Sequence, residues 1–360
     1  MYRLATGLLL VAVLGIGGYY RSLYLENPGY QGDTMGTSFS IRISGRVRKI
    51  ELRRLRRLID AALVDVNKQM STWDAESEIS RFNHSGSTDP FPVSADFATV
   101  VRRAITLSDT SGGAFDPTLQ PLLNLWGFGS EGGVRAVPSD EAIQAAKAMT
   151  GWTKITVTQD DALRKTEPGV SLALGAIAKG YGVDRIGRIL REEGFEDWFV
   201  EIGGEVVVQG LNPGGEPWRI GIQYPGMLPQ EDRVQGVLHL TAGAVATSGD
   251  YRNYLVKDGV IYSHILDPRS GRAVLTDTAS VSVYAPDCTE ADGLATTLFV
   301  MGPQEGLEWI ETMPGIEALF LVRSEGAIIE KFSSGFVGAT GYTSFSGEDL
   351  SRPEPDQNKD

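Results

Sequence analysis

Asp292 and Thr296 stand one helical turn apart in Thr289-Glu290-Ala291-Asp292-Gly293-Leu294-Ala295-Thr296, so a carboxylate and a hydroxyl share a helix face. Both are hard oxygen ligands of the kind Mg²⁺ prefers when phosphates complete its shell. Thr289 and Asp292 also fit a capping box ahead of the apolar run 294–300, and spacing alone favours the cap. Ala173-Leu174-Gly175-Ala176-Ile177-Ala178-Lys179-Gly180-Tyr181-Gly182 reads as a strand end, a glycine turn and a helix start. Such a turn presents free N–H groups and a positive dipole end to an anion, and Lys179 adds charge. Its spacing is neither a dinucleotide fingerprint nor a P-loop, and by itself it is a plain connection. His264, in Tyr262-Ser263-His264-Ile265-Leu266-Asp267-Pro268, is a general base by type, although a lone His beside apolar residues is more often packed. Trp73 and Phe115 suit stacking on flat rings or, equally, a core.

The elements that must carry these residues follow from periodicity. Alternation predicts a strand at 37–43, and helical spacing predicts a helix at 50–70 with Leu55, Leu58, Ile59, Ala62, Leu63 and Val66 inward. That helix has a basic outer face at Arg53, Arg54, Arg56 and Arg57, read as solvated. Further helices are expected at 95–108, 139–149 (capped by Ser139), 175–193, 289–300 and 303–312. Short strands are expected at 155–158, 170–173, 198–202, 205–209, 218–223, 237–240, 244–247, 280–284, 318–322 and 328–331. Adjacent strands joined by glycine-rich turns favour an α+β fold with largely antiparallel sheets and packed helices over a doubly wound one.

Composition narrows the partners. The 360 residues carry 33 basic and 46 acidic side chains, a net charge of −13 that argues against nucleic acid. One cysteine, Cys288, excludes an intrachain disulfide, and three scattered histidines disfavour a transition-metal site. Residues 4–20 are uncharged and largely apolar after Arg3, as in a secretory signal or a short span. No small-x-small cleavage site stands out, so an uncleaved anchor in the inner membrane is the first reading and a cleaved signal the second. Either leaves the domain on the periplasmic side. Three regions are expected: 1–31 as anchor and linker, 32–336 as the folded domain, and 337–360 as a polar tail.

Taken in order, a set of segments resembles the ApbE family of FAD:protein FMN transferases. It runs from Thr34-Met35-Gly36-Thr37 through Met70-Ser71-Thr72-Trp73 and Ser111-Gly112-Gly113-Ala114-Phe115-Asp116-Pro117 to Gly175-Ala176-Ile177-Ala178-Lys179-Gly180. It continues through Ile202-Gly203-Gly204-Glu205, Thr247-Ser248-Gly249-Asp250-Tyr251 and His264-Ile265-Leu266-Asp267-Pro268 to Ala291-Asp292-Gly293-Leu294-Ala295-Thr296. The resemblance implies a tunnelling-fold-like α+β domain that binds FAD with Mg²⁺ and transfers FMN to a Thr or Ser of an acceptor protein. It implies flavin-nucleotide contacts at Met35, Trp73, Ala114, Phe115, Asp116, Lys179 and Ile265. It further implies metal ligands at the Ala176 carbonyl, Asp292 and Thr296, with His264 taking the acceptor hydroxyl's proton. Ala173 stands where the family usually has an Asp that helps hold FAD. The rival readings are an FAD pyrophosphatase yielding FMN and AMP, and a non-catalytic FAD-binding protein. The stretch Val337-Gly338-Ala339-Thr340 partly matches the acceptor core of the family, a match attributed to chance.

Overall fold

Eight strands form one antiparallel sheet in the computed structural model, which describes residues 23–133, 135–226, 233–250 and 253–345. They are β1 (Gly29–Thr34), β2 (Thr37–Ile43), β3 (Trp198–Ile202), β4 (Glu205–Gln209), β5 (Ala242–Gly249), β6 (Thr278–Ala285), β7 (Glu317–Ser324) and β8 (Ala327–Phe332). Their spatial order is their order along the chain, and each pairs antiparallel with the next. Helices interrupt the run twice. Between β2 and β3 lie α1 (Lys49–Met70), α2 (Ala95–Thr110) and α3 (Ala178–Glu192), and between β6 and β7 lie α4 (Cys288–Met301) and α5 (Pro303–Ile310). The sheet is thus two ββ–helix–ββ halves joined where β4 pairs with β5.

The strand sequences report which faces are covered. In β2, Phe39, Ile41 and Ile43 alternate inward beneath α1 and α3. In β4 the run Val206-Val207-Val208 has no alternation because both faces are buried. Val207 meets the helices, while Val206 and Val208 meet a small sheet of Trp218–Gln223, Val234–Leu240 and Thr343–Ser344. The same division sends Ala318 and Phe320 of β7 to the helices and Leu319 and Leu321 to the small sheet.

Helix α1 buries Leu52, Leu55, Ile59, Ala62, Leu63, Val66 and Met70, while Leu58 is turned out rather than inward. Burial of these large side chains, at ~1.5–3 kcal/mol each, fixes the helix on the sheet. The α+β class with largely antiparallel sheets holds, and most of the expected elements form within a few residues of their predicted bounds. Residues 170–173 do not form a strand. Val170, Leu172 and Leu174 alternate inward as a strand would, but the backbone of Leu172 is paired with the side-chain amide of Asn83 instead of a ladder. The local strand is Ala162–Lys165, between Ile155–Val157 and Phe91–Pro92.

Both proposed domain limits also move. Tyr24–Glu26 already pairs with Arg46–Arg48, so folded structure begins before residue 32. Past residue 336, the helix Phe336–Thr340 and the strand Thr343–Ser344 close the small sheet, burying Phe336 and Tyr342. The apolar run 4–20 and residues 346–360 lie outside the described residues, as does Tyr251. Among the described residues no helix is long and apolar enough to cross a membrane.

Candidate active site

The site grows from the place where α3 and α4 cross. Three glycines make α3 a poor helix by propensity, at about 1 kcal/mol each. The crossing explains Gly180: a β-carbon there would sit 2.2 Å from the Cys288 carbonyl oxygen and 2.8 Å from Asp292 Cβ. At this contact the two helix starts hold each other. The Gly180 N–H donates to Asp292 Oδ2 at 2.9 Å, and the Cys288 and Thr289 N–H groups each donate to Asp184 at 2.8 Å. The cap of α4 is Asp287, whose side chain accepts from the Glu290 N–H. Asp292 lies a turn inside the helix, so the Thr289/Asp292 capping box does not form and its carboxylate serves the crossing instead.

Helix α3 is capped at Ile177, so the Gly180 N–H is one of the first-turn donors with no intrahelical acceptor; it goes to Asp292, and the Ala176 carbonyl lies just ahead of the helix, outside its ladder. Asp292 is buried, with Oδ1 3.6 Å from Lys179 Nζ, which in turn sits 2.6 Å from Glu205 Oε1. Burial opposes the Lys179 charge, but Asp292 and Glu205 together outweigh it and hold the ammonium above its usual range. Burial raises the Glu205 carboxyl to about 7 against the pull of Lys179, with the Asp292 charge adding to the rise. Among the described residues the other Glu205 oxygen is buried without a partner. One turn along α4 from Asp292, the Thr296 hydroxyl is 2.9 Å from that of Ser248 at the end of β5.

His264 lines the same cavity. Its Nδ1 lies 3.0 Å from the Asn253 carbonyl, which can only accept, so Nδ1 carries the proton and the neutral ring keeps its lone pair on Nε2. Burial holds its pKa below the usual histidine range, with the Asn253 bond opposing and the Lys179 charge reinforcing. The Phe128 ring meets it edge-on at 6.4 Å. Asp116, also raised by burial, accepts from the Thr118 N–H (2.8 Å) and hydroxyl (2.5 Å), which fixes the turn beside Phe115. The Ala173 N–H donates to the Pro117 carbonyl at 2.7 Å, tying the two loops together. Met35 sits in the β1–β2 turn at φ +52°, a left-handed conformation that a bulky side chain seldom adopts. Trp73 is 75% exposed at the rim, whereas Phe115 is buried.

All twelve residues singled out in the sequence line one cavity of about 660 Å³: Met35, Trp73, Ala114, Phe115, Asp116, Ala173, Ala176, Lys179, His264, Ile265, Asp292 and Thr296. The volume is of the size that takes a sizeable organic ligand. Glu205, Ser248, Asn253 and Phe128 join them there without having been singled out for a role. Glu205 had a signal, an acidic residue opening a valine run, but its lysine partner lies 26 positions earlier. Among the described residues no three His, Cys, Asp or Glu side chains are placed to hold a metal ion. A cation here would lean on the Asp292 carboxylate, the Thr296 hydroxyl and the Ala176 carbonyl. These are hard oxygens, the Asp292 carboxylate sharing the Lys179 ammonium with Glu205, a set of the type Mg²⁺ prefers.

The cavity thus brings a helix start, hard oxygen groups, aromatic side chains and a neutral histidine together in one enclosed space. The chain belongs to the ApbE family, whose model matches residues 35–320. It is 43% identical over 315 residues to the FAD:protein FMN transferase of Vibrio cholerae serotype O1, covering 86% of this chain and 93% of that one. The solved flavin transferase ApbE from Vibrio cholerae superposes with a TM-score of 0.79 at 41% identity, over 87% of this chain and 99% of that one. The apo flavinyl transferase ApbE of Pseudomonas stutzeri gives 0.79 at 37% identity, over 88% and 97%.

Proposed function

We infer that the chain is an enzyme that transfers FMN from FAD to a target protein, and that the acceptor atom is a Thr or Ser hydroxyl. The observation that supports the detailed reading is that Asp292, Thr296, Ala176 and His264 line one cavity, with Asp292 tied to the start of α3 through the Gly180 N–H. The flavin ring stacks at Trp73 and Phe115, with Met35, Ala114 and Ile265 around it and Asp116 holding the loop beneath. The start of α3 and Lys179 draw the diphosphate inward by dipole and charge. When bound, Mg²⁺ neutralises diphosphate charge and acts as a Lewis acid.

The acceptor oxygen attacks the phosphorus on the FMN side of the diphosphate. His264 Nε2 takes the hydroxyl proton, a role typically worth ~10²–10⁴-fold. The bond from that phosphorus to the bridging oxygen breaks, AMP departs, and FMN remains as a phosphoester. Ala173, in place of a carboxylate, removes one negative charge from the cavity without disturbing the loop tie to Pro117. The apolar run 4–20 anchors the domain at the periplasmic face of the inner membrane.

The test is intact-mass measurement of an acceptor domain incubated with this protein, FAD and Mg²⁺. An added FMN that disappears with chelator and returns with Mg²⁺ supports the reading. Undiminished transfer in chelator overturns the metal role, and AMP release without acceptor labelling turns the chain into an FAD pyrophosphatase.

A further inference from the structure

In a chain of net charge −13, residues 46–57 hold seven basic side chains and one acidic one, Glu51. Some of the seven are engaged: Arg46 with Glu26, Arg48 with Glu51, Arg54 with Glu193, and Arg56 over the Tyr30 ring. Lys49, Arg53 and Arg57 have no ionic partner among the described residues. They are spaced i, i+4, i+8 and so form one row along α1. The buried stripe Leu52, Leu55, Ile59, Ala62 and Val66 fixes which way the helix faces, and the row lies on its outer side. Apolar residues share that outer side, Ile50 at 59% exposure beside the row and Val64 at 50% farther along the helix. An outer face made only for water has no use for them, whereas cations interleaved with aliphatic side chains are the pattern of a helix lying in a lipid headgroup layer.

The chain enters the fold at this same place. The first described strand, Tyr24–Glu26, pairs with Arg46–Arg48, and Lys49 opens α1 by donating its N–H to the Leu23 carbonyl. Leu23 and Leu25 are both 39% exposed there. The apolar run 4–20 therefore ends a few residues from the basic row. We propose that the outer face of the first half of α1 docks on an anionic phospholipid surface, orienting the domain on its bilayer. The proposal rests on the membrane reading of residues 4–20. The free aliphatic residues and the nearness of that run favour a bilayer over an acidic protein. Because α1 is 22 residues long, its far end at Met70, beside the cavity, stands ~33 Å along the helix from the docked end.

The full-length protein is incorporated into bilayers of phosphatidylcholine, alone or with about a third phosphatidylglycerol, carrying an environment-sensitive fluorophore on Ala61→Cys. Ala61 is exposed on the outer side, and the native Cys288 is buried and spared. Each basic residue at such a surface is worth about fivefold in binding, so the free row is worth on the order of 10²-fold. The dye should shift to the blue only in the anionic bilayers. The shift should vanish in about 0.5 M salt and in Lys49→Glu/Arg53→Glu/Arg57→Glu, and weaken in the triple Gln variant. A dye on Lys331→Cys, in β8 at the opposite edge of the sheet from β1, should stay unmoved.

No lipid dependence, or a blue shift that survives charge reversal, overturns the proposal. So does a Glu variant that loses acceptor labelling in detergent while its dye still shifts in anionic bilayers, which would assign the row to a protein partner. Failure to float with phosphatidylcholine vesicles sinks the anchor reading alone, since the dye in anionic vesicles still reports on the face.

Discussion

Gly180→Ala separates the positioning of the site from the stability of the fold. The added β-carbon would lie 2.2 Å from the Cys288 oxygen and 2.6 Å from its carbonyl carbon. Both are backbone atoms, so no rotamer change relieves them. Moving from 2.2 Å to 3.0 Å, a separation below which real contacts essentially never fall, opens the α3–α4 crossing by about 0.8 Å. The Gly180–Asp292 bond, now 2.9 Å, then stretches past hydrogen-bonding range. Overpacking costs ~1–3 kcal/mol, of which about 1 kcal/mol is offset by the better helix propensity of alanine. Net destabilisation should therefore be small, ~0–2 kcal/mol, measured by urea unfolding. A displacement near 1 Å in the cradle costs on the order of 10²-fold in turnover, measured as the initial rate of FMN addition to an acceptor. A variant with wild-type turnover would refute the claim that this crossing sets the geometry.

Other variants probe single groups. Asp292→Asn keeps the size and one acceptor for the Gly180 N–H but loses the charge, and should cut Mg²⁺-dependent transfer by at least ~10²-fold; an unchanged Mg²⁺ titration would contradict its role. In Glu205→Gln the Lys179 ammonium keeps an amide acceptor but loses its 2.6 Å counter-charge and leans on Asp292 instead, so half-maximal activity should need several-fold more Mg²⁺, with kcat at saturation less affected. The pKa of His264 is lowered in the folded state, so as pH falls below about 6.5 the unfolded chain takes up its proton first and stability drops. His264→Gln should flatten that slope in urea melts between about pH 7 and 5 and lower turnover by ~10²-fold or more. Thr340 should gain no FMN on incubation with FAD, because it is fully buried with its hydroxyl donated to the Phe336 carbonyl; an intact-mass increase mapped to Thr340 would contradict this.

Periodicity exposed the fold where one face was covered, as in β2 and α1, and a continuous valine run was enough to place β4. It failed where pairing depends on distant groups. Residues 170–174 alternate like a strand, yet only the structure shows Asn83 standing in for a neighbouring strand. The hairpin Tyr254–Lys257/Val260–Ser263 was absent from the expected elements, although Asp258-Gly259, both at positive φ, is a strong local turn signal. Within the site, spacing could not decide between cap and ligand for Asp292, because a helix start shifted to Cys288 satisfies the same residue pattern. The ordered motifs located the twelve cavity residues. The Lys179–Glu205 pair and the Asn253 carbonyl that fixes the His264 tautomer are long-range facts that neither composition nor spacing carries.

The joint between β4 and β5 divides the chemistry as well as the sheet. Ala176 and Lys179 belong to the half of the chain before it, and Asp292, Thr296 and His264 to the half after it. Neither half by itself holds all the residues of the proposed reaction centre. Severing the backbone between these strands would give two fragments that are each inert, and turnover of their mixture would count reassembled pairs.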